Sequence, residues 1–152
     1  MLHLSGLLLW LQPQLVAGVL CAEASFDRAD TWNVAQVIRN RTRAGSRYKG
    51  ASFSKTVLGV ITRRRAFANP NRCAKLRKHH FDTALRLLAG RRLNAHRRVK
   101  PMKVVFFLNL KRYGQLYHRW RKTRLVAHKH KRTSKRGKPY GHVYMFLREA
   151  YR

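Results

Sequence analysis

Acidic residues are nearly absent from this sequence. Its 152 residues hold 5 Asp and Glu against 35 Lys and Arg, a formal net charge of +30. Cysteine is equally scarce: Cys21 and Cys73 are too few for a disulfide framework and form no metal motif. Cys21 sits in an apolar run and Cys73 in an expected helix, so both read as buried thiols, with a single bridge as the alternative. Long uninterrupted apolar runs are missing as well. Leu2–Leu20 is mostly apolar, but Gln12-Pro13-Gln14 divides it into pieces shorter than the roughly 20 residues a bilayer requires. No Lys or Arg precedes that run, which holds only His3 near its start, and Val19-Leu20 before Cys21 is no lipobox. Residues 1–12 therefore read as a short apolar leader, a candidate targeting segment. Residues 13–152 read as one domain whose first helix starts near Pro13, a residue suited to a helix's first turn.

What is present excludes a disordered basic tail, because 45% of residues are hydrophobic and 11% aromatic. The expectation is a folded domain in polyanionic surroundings: nucleic acid, an anionic membrane or teichoic acid, or cell wall.

Spacing gives a mainly helical α+β order with a late β-hairpin. After the apolar helix, Asp30 is placed to cap a helix over Thr31–Arg43, with Val34, Val37 and Ile38 on one face and Gly45 as its stop. Ser54 can cap a short helix holding Val57, Leu58, Val60 and Ile61. A longer helix carries Leu76, His80, Phe81, Ala84, Leu85 and Leu88 and closes at Gly90. Val104–Leu108 and Tyr140–Leu147 have strand composition and are expected to face each other. Between them lies a basic insertion at about 111–138, whose later part, Ala127–Lys138, reads as a mobile loop without core residues.

With so few acids, each can be weighed singly. Asp82 lies inside a helix with basic neighbours, and Glu149 is near the carboxyl end. Glu23, Asp27 and Asp30 fall within eight residues. Asp27 reads as a loop acid and Asp30 as a cap. Glu23 ends an apolar helix between two alanines, where poor solvation raises a carboxyl pKa. A carboxylic acid held protonated near neutrality is what protonation of a glycosidic oxygen requires.

Cys21-Ala-Glu-Ala-Ser25 followed by Val34-Ala-Gln-Val-Ile-Arg-Asn-Arg41 resembles the start of the SleB-type cell wall hydrolase family. Ser54–Ile61 with Phe67, then Phe106-Phe-Leu-Asn109, Trp120 and Gly141–Phe146, are similar to its later blocks, in the same order over about residues 15–147. The resemblance implies a lysozyme-like fold and cleavage of peptidoglycan between MurNAc and GlcNAc by lytic transglycosylation. Glu23 would be the catalytic residue, and Asn109, His142, Asn40, Tyr113 and Trp120 would be the substrate-binding ones. It implies no cofactor and no metal. It also implies action at the cell wall or periplasm, with a phage, a secreted toxin and the cell's own wall remodelling all left open as the context. A phage particle, where the enzyme is packaged with a genome, is suggested by the resemblance together with the charge. The sequence departs from the family at Ser25-Phe26, which stands where R-G is usual, and at Asp27, the shorter acid four residues after Glu23.

The competing class is a non-enzymatic, basic nucleic-acid-binding protein of packaging or ribosomal type. It accounts for the charge, and Tyr113, Tyr117 and Trp120 suit stacking on bases. A third class, a cationic membrane-active protein, would use the apolar leader. His79-His80 and His128-Lys-His130 lie among cations that repel metal.

Overall fold

The computed structural model describes residues 4–48, 52–64, 66–114 and 124–147. Helix α1 spans Leu4–Ala24, α2 Arg28–Ala44, α3 Val57–Ile61 and α4 Lys78–Leu88, with a 3-10 turn at Pro70–Arg72. Strands β1 (Phe106–Asn109), β2 (Arg124–Thr133) and β3 (Pro139–Leu147) form an antiparallel sheet in the order β1-β3-β2. Helix outweighs strand, at 45% against 18%, so the α+β, mainly helical class holds.

The core gathers around the second half of α1, where Val16, Ala17, Val19, Leu20 and Ala24 are all buried. They pack against Val34, Val37 and Ile38 of α2, and against Ala84 and Leu87 of α4. The expected helix start at Pro13 is wrong: α1 runs unbroken from Leu4, with Pro13 inside it. Proline there removes one ladder hydrogen bond, but the leucine-rich segment before it continues the helix. None of the described helices is long and apolar enough to cross a membrane.

Helix α2 starts three residues earlier than expected. Asp27, not Asp30, is its N-cap, with Oδ1 accepting the Asp30 amide at 3.0 Å. Thr56 rather than Ser54 caps α3. In α4 the expected stripe is shifted: His80, Thr83, Ala84 and Leu87 are buried, whereas Leu85 is exposed and Leu76 precedes the helix. Lys78 and Asp82 pair at 2.7 Å, as the basic neighbours of that acid suggest.

α2 is polar yet mostly buried, because its side chains satisfy the irregular segment that leads into β1. Arg39 donates to the Arg86 and Arg91 carbonyls, and Asn33 accepts the His96 amide. Asn40 donates to the carbonyls of Val99, Pro101 and Val104, and Arg41 to that of Val105. Buried backbone needs such partners. They also explain why β1 begins at Phe106 instead of Val104: the carbonyls at 104 and 105 are already taken.

β1 and β3 face each other as expected, with Asn109 opposite His142. The loop expected over Ala127–Lys138 is instead mostly strand: β2 pairs with β3 through Thr133, with a register shift at Ala127 and a turn over 134–138. Gly141 has φ of +122°, and a Cβ there would stand 2.1 Å from the His130 carbonyl oxygen, so this pairing requires glycine. The two cysteines are not thiols. Cys21 and Cys73 form a disulfide with Cα atoms 5.3 Å apart.

Candidate active site

Glu23 lies half-buried on the last turn of α1. Its Oε1 accepts the Ala68 amide at 2.5 Å. Burial pushes its carboxyl pKa up, and nearby Asp30 adds to the shift. The Ala68 amide and the charges of His142 and Arg41 oppose that rise without cancelling it. Burial pulls the Arg41 guanidinium down to about 10 against the opposing charge of Glu23, so it remains a cation at neutrality.

Glu23 opens into a cleft of about 390 Å³ walled by Phe67, Phe107, Asn109, Arg112 and His142. A second hollow of about 310 Å³ holds Ser25, Asp30, Tyr140 and Gly141. The two share Glu23, Ala68, Arg72, Asn109 and His142, so the carboxyl sits at the junction of a continuous groove.

The first turn of α2 fixes the sheet side of this groove. Asp30, only 2% exposed, accepts His142 Nδ1 at 2.5 Å and the Tyr144 hydroxyl. One turn earlier, Asp27 Oδ2 meets His130 Nε2 at 2.9 Å, with Arg132 Nε at 3.7 Å. His130 and His142 are cross-strand partners, so two acids three residues apart hold two facing histidines. Acids at a helix N-terminus are also favoured by the helix dipole. Burial alone would raise the Asp27 carboxyl, but the His130 hydrogen bond, the Asp30 amide and the charges of His130 and Arg132 hold it below the usual range. Burial and Asp30 together push the Tyr144 hydroxyl well above its ordinary value, leaving it a neutral donor.

With Nδ1 committed to Asp30, His142 keeps Nε2 unpartnered among the described residues on the groove wall. Asp30→Asn is therefore expected to cost about 2 kcal/mol of stability, the penalty of a broken buried charge-assisted pair. Thermal melting checks this; an unchanged melting temperature would show that the pairing carries no weight.

Of the expected site residues, Glu23, Asn109 and His142 come together in the groove. Asn109 also caps the next turn, accepting the Arg112 amide at 2.8 Å. Asn40 is not a substrate ligand: it is fully buried, and its amide serves three carbonyls and Gln36. Tyr113 lines neither hollow at Glu23 and lies under the Lys129 ammonium at 5.6 Å. Trp120 falls outside the described residues. Sequence reasoning missed Arg72 and the Asp30–His142–Tyr144 arrangement. Asp30's spacing from Asp27, set against alternating histidines downstream, was the available signal. It also missed that His130 finds a carboxylate.

No family model matches this chain, and neither does any curated protein or solved structure.

Proposed function

We propose that the chain is a lysozyme-like lytic transglycosylase that cleaves peptidoglycan glycan strands between MurNAc and GlcNAc. The observation that carries this is Glu23: a half-buried carboxyl with a raised pKa, clamped by one backbone amide at the junction of a continuous groove. The ordered blocks that resemble SleB-type hydrolases support the same reading.

In this mechanism the Glu23 carboxyl gives its proton to the glycosidic oxygen as the bond to the anomeric carbon breaks. The carboxylate so formed then takes the proton from the sugar's own 6-hydroxyl, which closes on the anomeric carbon and leaves a 1,6-anhydro end. Arg41 and the Ala68 amide stabilise the carboxylate between the two steps. A two-carboxylate hydrolase needs a second available acid. Among the described residues, the other carboxylate lining the groove is Asp30, which has both oxygens engaged, and this favours the single-acid route.

Digestion of purified peptidoglycan, read by mass spectrometry, is expected to yield anhydro-muropeptides. Products carrying added water would keep glycan cleavage but replace the transglycosylase step. An inert protein on several wall types would remove catalysis. The leading reading would then be nucleic-acid binding, for which the specific observation is the exposed basic edge of the β2–β3 hairpin, with Lys129, Lys131, Lys135, Arg136 and Lys138.

A further inference from the structure

A third hollow, about 540 Å³, is lined in part by the paired Asp27 and Arg132 but not by Glu23. It lies beyond the groove, and Tyr140 of β3 is a wall of both. Phe26 is 56% exposed, with the Arg77 guanidinium 5.6 Å from its ring centre. It sits with its ring 5.9 Å from Tyr140, and the two form an aromatic ledge at the boundary. Trp32 and Asn94 also line the hollow. Two guanidinium groups flank it. Arg28 is exposed on the first turn of α2 and has no partner among the described residues. Arg132 touches Asp27 only through Nε, at 3.7 Å, which leaves its terminal nitrogens uncommitted.

We propose that this hollow is a second binding site, which takes the acidic peptide carried by the glycan strand while Glu23 acts on the neighbouring sugar bond. The inference rests on the glycan-cleaving reading above and specifies its substrate. Continuity decides the occupant: a polymer threading past His142 and Gly141 meets Tyr140 and then this hollow. Peptidoglycan differs from neutral glycans in bearing peptide stems with free carboxylates, and planar guanidinium groups bind carboxylates in paired hydrogen bonds. The aromatic ledge receives the apolar faces between those charges.

The test compares stem-bearing peptidoglycan with the same strands stripped of peptide by an amidase, for the wild type and for Arg28→Gln/Arg132→Gln. The wild type is expected to favour stem-bearing strands. In the double variant the ratio of kcat/KM for stem-bearing over stripped strands should fall at least tenfold, carried by KM, and Arg28→Lys/Arg132→Lys should restore part of it. Calorimetric titration with a soluble acidic stem peptide should show binding to the wild type and at least tenfold weaker binding to the Gln variant. Both side chains are exposed, so a folded variant is expected, and melting checks it. An unchanged ratio with unchanged peptide binding overturns this site while glycan cleavage stands. Loss of oligonucleotide retention without loss of peptide binding assigns the hollow to nucleic acid and overturns it too. If the wild type cuts neither substrate, the glycan-cleaving reading fails first. Peptide titration then still decides whether the hollow binds acidic peptide.

Discussion

Glu23→Gln is expected to reduce glycan cleavage by about 10³-fold, the scale of a lost general acid and base, or about 4 kcal/mol of transition-state stabilisation. The substitution keeps the side-chain oxygen that accepts the Ala68 amide, so the clamp survives. It also removes a charge that burial disfavours. Because the folded pKa of Glu23 lies above its unfolded value, the ionised carboxylate costs stability at pH values above the folded pKa. A neutral glutamine carries no such cost, so the variant should melt at or above the wild-type temperature at pH 7. A structural glutamate would give the opposite pair of results, lower melting and no catalytic readout to lose. The wild-type rate should persist above the ordinary glutamate range, near 4.3, and fall as pH rises through the raised value, since ionised Glu23 has no proton to give. A cleavage rate in Glu23→Gln within threefold of wild type would remove Glu23 from the chemistry.

The parts of the site that were legible in the sequence are those whose chemistry is local. Glu23 stands out because alanines flank it at the end of an apolar helix. Asn109 and His142 were placed on facing strands because both runs have strand composition, and the register pairs them directly. Asp30 was misjudged for a physical reason. An acid at a helix start looks the same in sequence whether it caps the helix or lies a turn inside, and only tertiary partners distinguish the two. Here those partners, His142 and Tyr144, lie more than a hundred residues away.

The same reason hid β2. Its alternation is present, with His130 buried and Lys129 and Lys131 exposed, but the inward positions are histidines instead of apolar residues. Besides its ladder to β3, this strand is held by Asp27, which receives His130, and by His128, which stacks at 3.8 Å on His96. Burial, with neighbouring His96, His130 and Arg98, pulls the His128 pKa down to about 4, so that stack is neutral. Sequence periodicity counts apolar residues, and a strand that buries paired imidazoles escapes it.

Breaking the Cys21–Cys73 bridge is expected to have the second large effect, on stability and on the site together. The bridge spans 52 positions in sequence, and loop-closure entropy for that length is worth about 4 kcal/mol. For a domain of this size that corresponds to a fall of roughly 12 °C in Tm. The local consequence is more specific. Cys21 lies two residues before Glu23, and Cys73 follows Arg72 on the segment that delivers the Ala68 amide to Glu23. That segment is seated closely on α1, where a Cβ at Gly18 would come within 2.8 Å of the Pro70 Cβ. The bridge thus fixes both halves of the clamp, the carboxyl and its donor. Cys21→Ser/Cys73→Ser, or the reduced wild type, should lose cleavage even at temperatures where circular dichroism shows the fold intact. A raised KM with unchanged kcat would mean that the segment only shapes the groove, whereas a lowered kcat would tie the bridge to the proton transfers themselves. Reduced protein that melts and cleaves like the oxidised form would refute both the stability and the clamp assignments. Such a bridge persists in oxidising compartments, which are also where a wall-cleaving acid would meet its substrate.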